Sequence, residues 1–181
     1  RRRLPGRDTA IQPGDIMILM PRREPFASEI IRRLKEKNIP VAGADRMKLT
    51  DQIAVMDLIA LGRFVLLPED DLNLAALLRS PLNDVSEDEL RDLAHSREGT
   101  LWRELVARRS DNASFTRAHD FLTEMLSRAD LSPPYEFYMH ALVTKGARQK
   151  LLARLGPDAA DALDEFVSLA LAYEQLHTPS L

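Results

Sequence analysis

The chain has 181 residues, 45% of them hydrophobic and 29% charged, which excludes a disordered tail and fits one domain or two small ones. With no cysteine it has no disulfide scaffold, thiolate zinc site, iron–sulfur cluster or cysteine nucleophile. The net charge of −3 divides unevenly: residues 1–50 hold 12 Lys/Arg against 6 Asp/Glu, whereas residues 51–181 hold 13 against 22, so a basic segment precedes an acidic one.

The start, Arg1-Arg2-Arg3-Leu4-Pro5-Gly6, carries no Met and no apolar signal core, and reads as the interior of a longer polypeptide. No run of roughly 18 apolar residues occurs, so no membrane span is expected and the cytoplasm is the expected location. After the turn Pro13-Gly14-Asp15, the unbroken apolar run Ile16 to Met20 predicts a buried strand. Phe26, Ile30, Ile31 and Leu34 then share one helix face, and Ile39 to Gly43 predicts a second strand. Such a strand–helix–strand piece needs further strands to complete a sheet.

From Thr50 onward every segment predicts helix. Ile53 to Leu67 is apolar nearly all round, as in a helix buried at the centre of a bundle, and Pro68 stops it. A short helix over 72–78 ends at Ser80-Pro81, and Asp70 and Asp71 fall at its N-terminus, where the macrodipole favours carboxylates. Ser86-Glu87-Asp88-Glu89 has the form of a capping box, with Val85 and Leu90 as its hydrophobic staple. Helices follow over 100–109, 113–129, 133–144 (Ser132 as N-cap, Pro133 at N1) and 146–154. Gly156-Pro157 separates these from a final helix with Leu163, Phe166, Val167, Ala170 and Tyr173 on one face. The predicted fold class is therefore mainly α, a helical bundle over 50–181 with a small N-terminal β-α-β piece over 1–49.

Catalytic chemistry is sparse. There is no G-x-x-x-x-G-K-[ST] phosphate loop, no G-x-G-x-x-G turn and no G-x-S-x-G nucleophile turn. His95, His119, His140 and His177 lie far apart, so no metal site and no catalytic residue is predicted. Asp164-Glu165 resembles an acidic box but sits in a helical pattern, and Trp102 lies on an apolar helix face as a packing residue. Two basic clusters stand out. Arg22 and Arg23 follow the first predicted strand, where open α/β sheets place phosphate contacts, although spacing alone favours solvated side chains there. Lys145, Arg148, Lys150 and Arg154 surround a predicted turn and suit DNA phosphates, although a solvated helix face is the commoner use of such a cluster.

The order Gly14 to Arg23, the Phe26–Leu34 helix and Ile39-Pro40-Val41 resembles motif IV and its continuation in the UvrD/Rep-like superfamily 1 DNA helicases. Asp57 to Leu61, Pro68 to Asp71, Leu77 to Pro81, Ser86 to Leu90 and Thr100-Leu101-Trp102 resemble the start of their inserted helical subdomain 2B. Val41 to Arg46, Leu61 to Phe64 and Leu67 to Asp71 are most similar to the AddA-like helicase–nuclease subunits of alphaproteobacterial double-strand-break repair. The resemblance implies a motor subdomain 2A piece over 1–49 and a 2B-like subdomain over 50–181. It implies that Arg22, with Arg23 beside it, approaches the ATP γ-phosphate, and that Pro21 stands where many relatives carry that arginine. It implies ATP and Mg²⁺ in the full-length parent and none in this piece, which alone neither hydrolyses ATP nor cuts DNA. Junction DNA and an AddB-like partner subunit are the implied partners. The rival expectation is a stand-alone helical protein–protein interaction module.

Overall fold

Helix formation follows apolar periodicity along almost all of the chain that the structure, a computed structural model, describes: residues 10–19, 26–41, 49–95 and 97–176. The chain divides into two units, Arg1–Lys48 and Leu49–Leu181. In the first, α1 spans Phe26–Glu36. Its charged side chains are laced at i,i+3 and i,i+4, Glu29 accepting from Arg32 and Arg33 while Arg32 also reaches Glu36.

The strands expected on either side of α1 do not form among the described residues. Ile16 to Leu19 are solvent-exposed and Ile39 to Val41 are irregular. An apolar run becomes a strand only when neighbouring strands satisfy its N–H and C=O groups, and the described residues supply none. Met20, Ala42 and Gly43, the other residues of those two predicted strands, lie outside the described residues, as do Arg22 and Arg23.

The second unit is a bundle around α2 (Ile53–Leu66), whose Ala54, Val55, Leu58, Leu61, Phe64 and Val65 are buried. Leu67 closes it by donating to Arg63 O, just before Pro68. Helix α3 (Asp71–Arg79) starts at Asp70, whose carboxylate accepts the Asn73 N–H, and the Asn73 amide donates to Ala60 O at 2.9 Å, tying α3 to α2. Asp71 spans farther: one oxygen accepts the Leu101 N–H at 2.6 Å and the other accepts from Arg97 at 2.7 Å. These bonds hold the carboxyl below its usual range against the opposing effect of burial.

Ser80 and Asn83 are buried polar residues in the turn after α3, both donating to Leu77 O, so the turn replaces the helix's missing partners. The capping box forms as expected at α4 (Glu87–Ala94): Ser86 Oγ accepts from Glu89 N, and the Glu89 carboxylate accepts from Ser86 N. Thr100 caps α5 (Leu101–Ala107) and Asn112 caps α6 (Ala113–Ala129). Trp102 packs its edge on Phe64 at 5.1 Å between ring centres and stacks on His119, a packing role as its helix face predicts.

Helix α7 (Pro134–Met139) begins one residue later than expected, with Pro133 at the cap and Pro134 at N1. Neither proline offers a side-chain acceptor, and the Glu174 carboxylate accepts the Tyr135 N–H instead. A wider π-type turn over His140–Thr144 continues α7, and Gly146 at φ 70° redirects the chain into α8 (Ala147–Leu155). After Gly156, α9 runs Ala159–Leu176, with Leu163 buried and Phe166 and Val167 packed on the core. None of the described helices is long and apolar enough to cross a membrane.

Candidate functional site

The corner formed by α7, the π-type turn and α8 gathers the second basic cluster. The turn brings His140 and Lys145 to the same carboxylate, Glu124 of α6: His140 Nε2 lies 2.6 Å from Oε1 and Lys145 Nζ 2.5 Å from Oε2. The Lys145 ammonium, and secondarily His140, hold the Glu124 carboxyl below its usual range. At the second residue of α8, Arg148 makes a two-pronged pair with Asp164 of α9 at 2.6 and 3.1 Å, which raises the guanidinium pKa and lowers that of Asp164. Both cations therefore serve as ties between helices.

The other two differ. Lys150 Nζ donates to the neutral Leu82 carbonyl at 2.9 Å, and partial burial together with nearby Arg117 pulls its pKa down. Arg154 meets Asp84 only at the long distance of 3.5 Å and stays 56% exposed. It also faces Asp57 of α2, whose charge it partly offsets. Asp84 itself sits at φ 53°, a left-handed conformation that Asp tolerates better than most residues. Arg117, which sequence spacing did not bring into the cluster, is exposed on α6 and donates to the neutral Ser114 hydroxyl at 3.3 Å. Its signal in the sequence is only its place on the polar face of α6, opposite Phe115, Ala118 and Leu122.

Thus the structure splits the four cations that sequence spacing joined, and adds a fifth. Lys145 and Arg148 are spent on carboxylates. Lys150 and Arg117 hydrogen-bond neutral acceptors and lie close enough to repel, with Asp84 near Lys150 and Glu89 near Arg117 offsetting part of their charge. Asp164 lies on α9 as part of a helical ion pair, and among the described residues no group of three or more His, Asp or Glu is placed to hold a metal ion.

No protein-family model matches the chain. It is 29% identical over 126 residues to an ATP-dependent helicase/nuclease subunit of Listeria welshimeri, covering 68% of this chain and 10% of that protein. It is 33% identical over 93 residues to the corresponding helicase/nuclease subunits of two strains of Bacillus cereus, covering 51% of this chain and 7% of theirs. The chain thus spans a tenth or less of the length of these relatives. Because the first unit holds 48 residues, more than half of the Listeria match falls in the helical unit. The chain is distantly similar to these ATP-dependent helicase/nuclease subunits.

Proposed function

We propose that this chain is a section of an ATP-dependent DNA helicase–nuclease that works in double-strand-break repair and recombination in the cytoplasm. In this reading its helical unit, a 2B-like subdomain, positions DNA beside the motor. The observation that carries it is the similarity to the helicase/nuclease subunits of Listeria and Bacillus, which in Listeria extends into the helical unit. The first unit is then the end of motor subdomain 2A, Arg22 and its neighbour Arg23 meeting the γ-phosphate of ATP. The rest of the polypeptide would supply the phosphate loop and the Mg²⁺ ligands, because this chain has no such loop and its described residues form no metal site. An AddB-like subunit is the expected partner of the whole. The helicase/nuclease relation is better supported than its alphaproteobacterial branch, since the similar proteins come from Listeria and Bacillus.

Within the helical unit the DNA contact falls to Arg117, Lys150 and Arg154, which make no short carboxylate pair of the kind that Lys145 and Arg148 make in holding the corner together. Phosphate contacts of this kind fix orientation without reading sequence. The test is fluorescence anisotropy of the 181-residue chain with a duplex carrying a 3′ single-stranded tail, at low and at physiological salt. Binding should be salt-sensitive. Replacing Arg117, Lys150 and Arg154 by Ala should lower the slope of log affinity on log salt by about one for each cation that touches a phosphate. Arg148→Ala should instead lower the melting temperature and leave that slope unchanged. No binding even at low salt overturns the DNA-positioning role.

A further inference from the structure

The apolar stripe of α9 does not end at the core. Phe166, Leu169, Ala170 and Tyr173 follow the i, i+3, i+4, i+7 spacing of one face, yet Leu169 is 51% and Tyr173 42% exposed. They form one wall of an open groove of about 400 Å³, whose other wall is Val55 and Ile59 of α2, with Tyr138 of α7 at its base. Met56 and Leu66 on α2 are exposed as well. Hydrophobic side chains scattered singly are ordinary, but a contiguous apolar concavity between helices marks a place where something docks.

The groove's charge selects the occupant. Leu49–Asp51, α2, α7 and α9 carry exposed Asp51, Glu136, Asp161 and Glu165, against Arg63 as the one exposed cation on these elements among the described residues. Glu165 stands one turn before Leu169, directly beside the groove. Nucleic acid is repelled by such a rim. To a small polar ligand the lining side chains offer only the hydroxyls of Thr50, Tyr138 and Tyr173, with no charged or amide side chain. An added strand has no sheet edge here, since this unit has no strand among its described residues. The α9 wall is two turns long from Phe166 to Tyr173, the length over which a helix presents three apolar anchors.

We propose that this groove docks an amphipathic helix of a partner protein, its apolar face seated between α2 and α9 and its flanks carrying Lys or Arg opposite Glu165 and Asp51. The interaction shares no residue with Arg117, Lys150 and Arg154, so it stands or falls apart from the DNA contact.

The test uses the full chain against a displayed library of amphipathic helices of about five turns, randomised at the apolar and flanking positions. Selected helices should carry Leu or Phe at i, i+3 or i+4, and i+7, with Lys or Arg at the flanks. A fluorescent peptide of the leading sequence should lose at least about tenfold in affinity on Leu169→Glu, a change at an exposed position, and also on Glu165→Lys. Changing the peptide's flanking Lys to Glu should restore binding to the Glu165→Lys protein. Thermal melts of both variants check that the fold persists. Selection of acidic helices, or of none whose binding depends on Leu169, overturns the proposal. Concentration-dependent dimerisation abolished by Leu169→Glu also overturns it, by showing that a second copy of this chain fills the groove.

Discussion

At the scale of single residues, the helical unit places its costliest charge on its central helix. Asp57 lies on α2 among buried Ala54, Leu58 and Leu61, with Oδ2 buried and without a hydrogen-bond partner. Burial pushes its carboxyl up to about 6, against only a partial counter-pull from Arg154. The folded state therefore holds a proton that the unfolded chain has already released between about pH 4 and 6, and stability contributed by this group falls as pH rises through that window. Asp57→Asn removes the charge and keeps the shape. It should stabilise the protein by about 1–2 kcal/mol at neutral pH, water at the half-exposed side chain reducing the full value, and lose that advantage near pH 4. Urea midpoints at the two pH values check this, and an equal midpoint shift at both would show that packing, not charge, decides. Sequence reading sees Asp57 only as one of two charges, with Arg63, in an apolar helix. Which wall of the bundle it faces depends on α8, far along the chain.

Between elements, α2 and α7 meet at Gly62 and Tyr138. A Cβ built on Gly62 would lie 2.3 Å from the Tyr138 hydroxyl and 3.5 Å from the ring carbon that bears it. Tyr138 is held on two sides, its ring packing edge to face with Phe137 at 5.1 Å and with Phe166 at 4.8 Å. Two effects then oppose each other in Gly62→Ala: helix propensity favours Ala by about 1 kcal/mol, and overpacking costs about 1–3 kcal/mol. Overpacking should win, giving net destabilisation. In a Tyr138→Phe background the hydroxyl is gone and the remaining contact is ordinary, so the same Gly62→Ala change should become stabilising. A double-mutant cycle followed by thermal melting reads the sign reversal, and destabilisation in both backgrounds would mean that the ring itself blocks the Cβ. The existence and type of these helices were legible because apolar spacing and caps are local: Asp70, Ser86, Thr100 and Asn112 each accept the N–H of the third residue onward. The ties between helices were not. Asp71 reaching Leu101, Glu124 joining His140 to Lys145 and Glu174 capping α7 all pair residues at least 16 positions apart, and a cation's spacing cannot tell a phosphate ligand from such a tie.

For the whole molecule, the same reasoning separates a unit with a core from one without. Every buried side chain among the described residues belongs to Leu49–Leu181, from Ala54 to Leu163, whereas the described residues of Arg1–Lys48 bury none. The apolar run at Ile16–Leu19 was legible as strand-forming material, but whether it pairs depends on strands that no residue in the run encodes. Backbone protection follows burial, because an amide exchanges through the cheapest opening that exposes it, and a helix anchored on few buried contacts opens at little cost. Hydrogen exchange of the 181-residue chain should therefore be fast over α1 despite its three Glu–Arg pairs, which are exposed and screened by water. Amides of Leu58 to Val65 on α2 should exchange slowest, by orders of magnitude, since those positions open only when the bundle does. If α1 were protected as strongly as α2, its apolar face would have to be covered by packing that the described residues do not contain. The two units would then unfold as one. Equal protection thus refutes the separation, and a large difference locates the cooperative core of this chain in the helical unit.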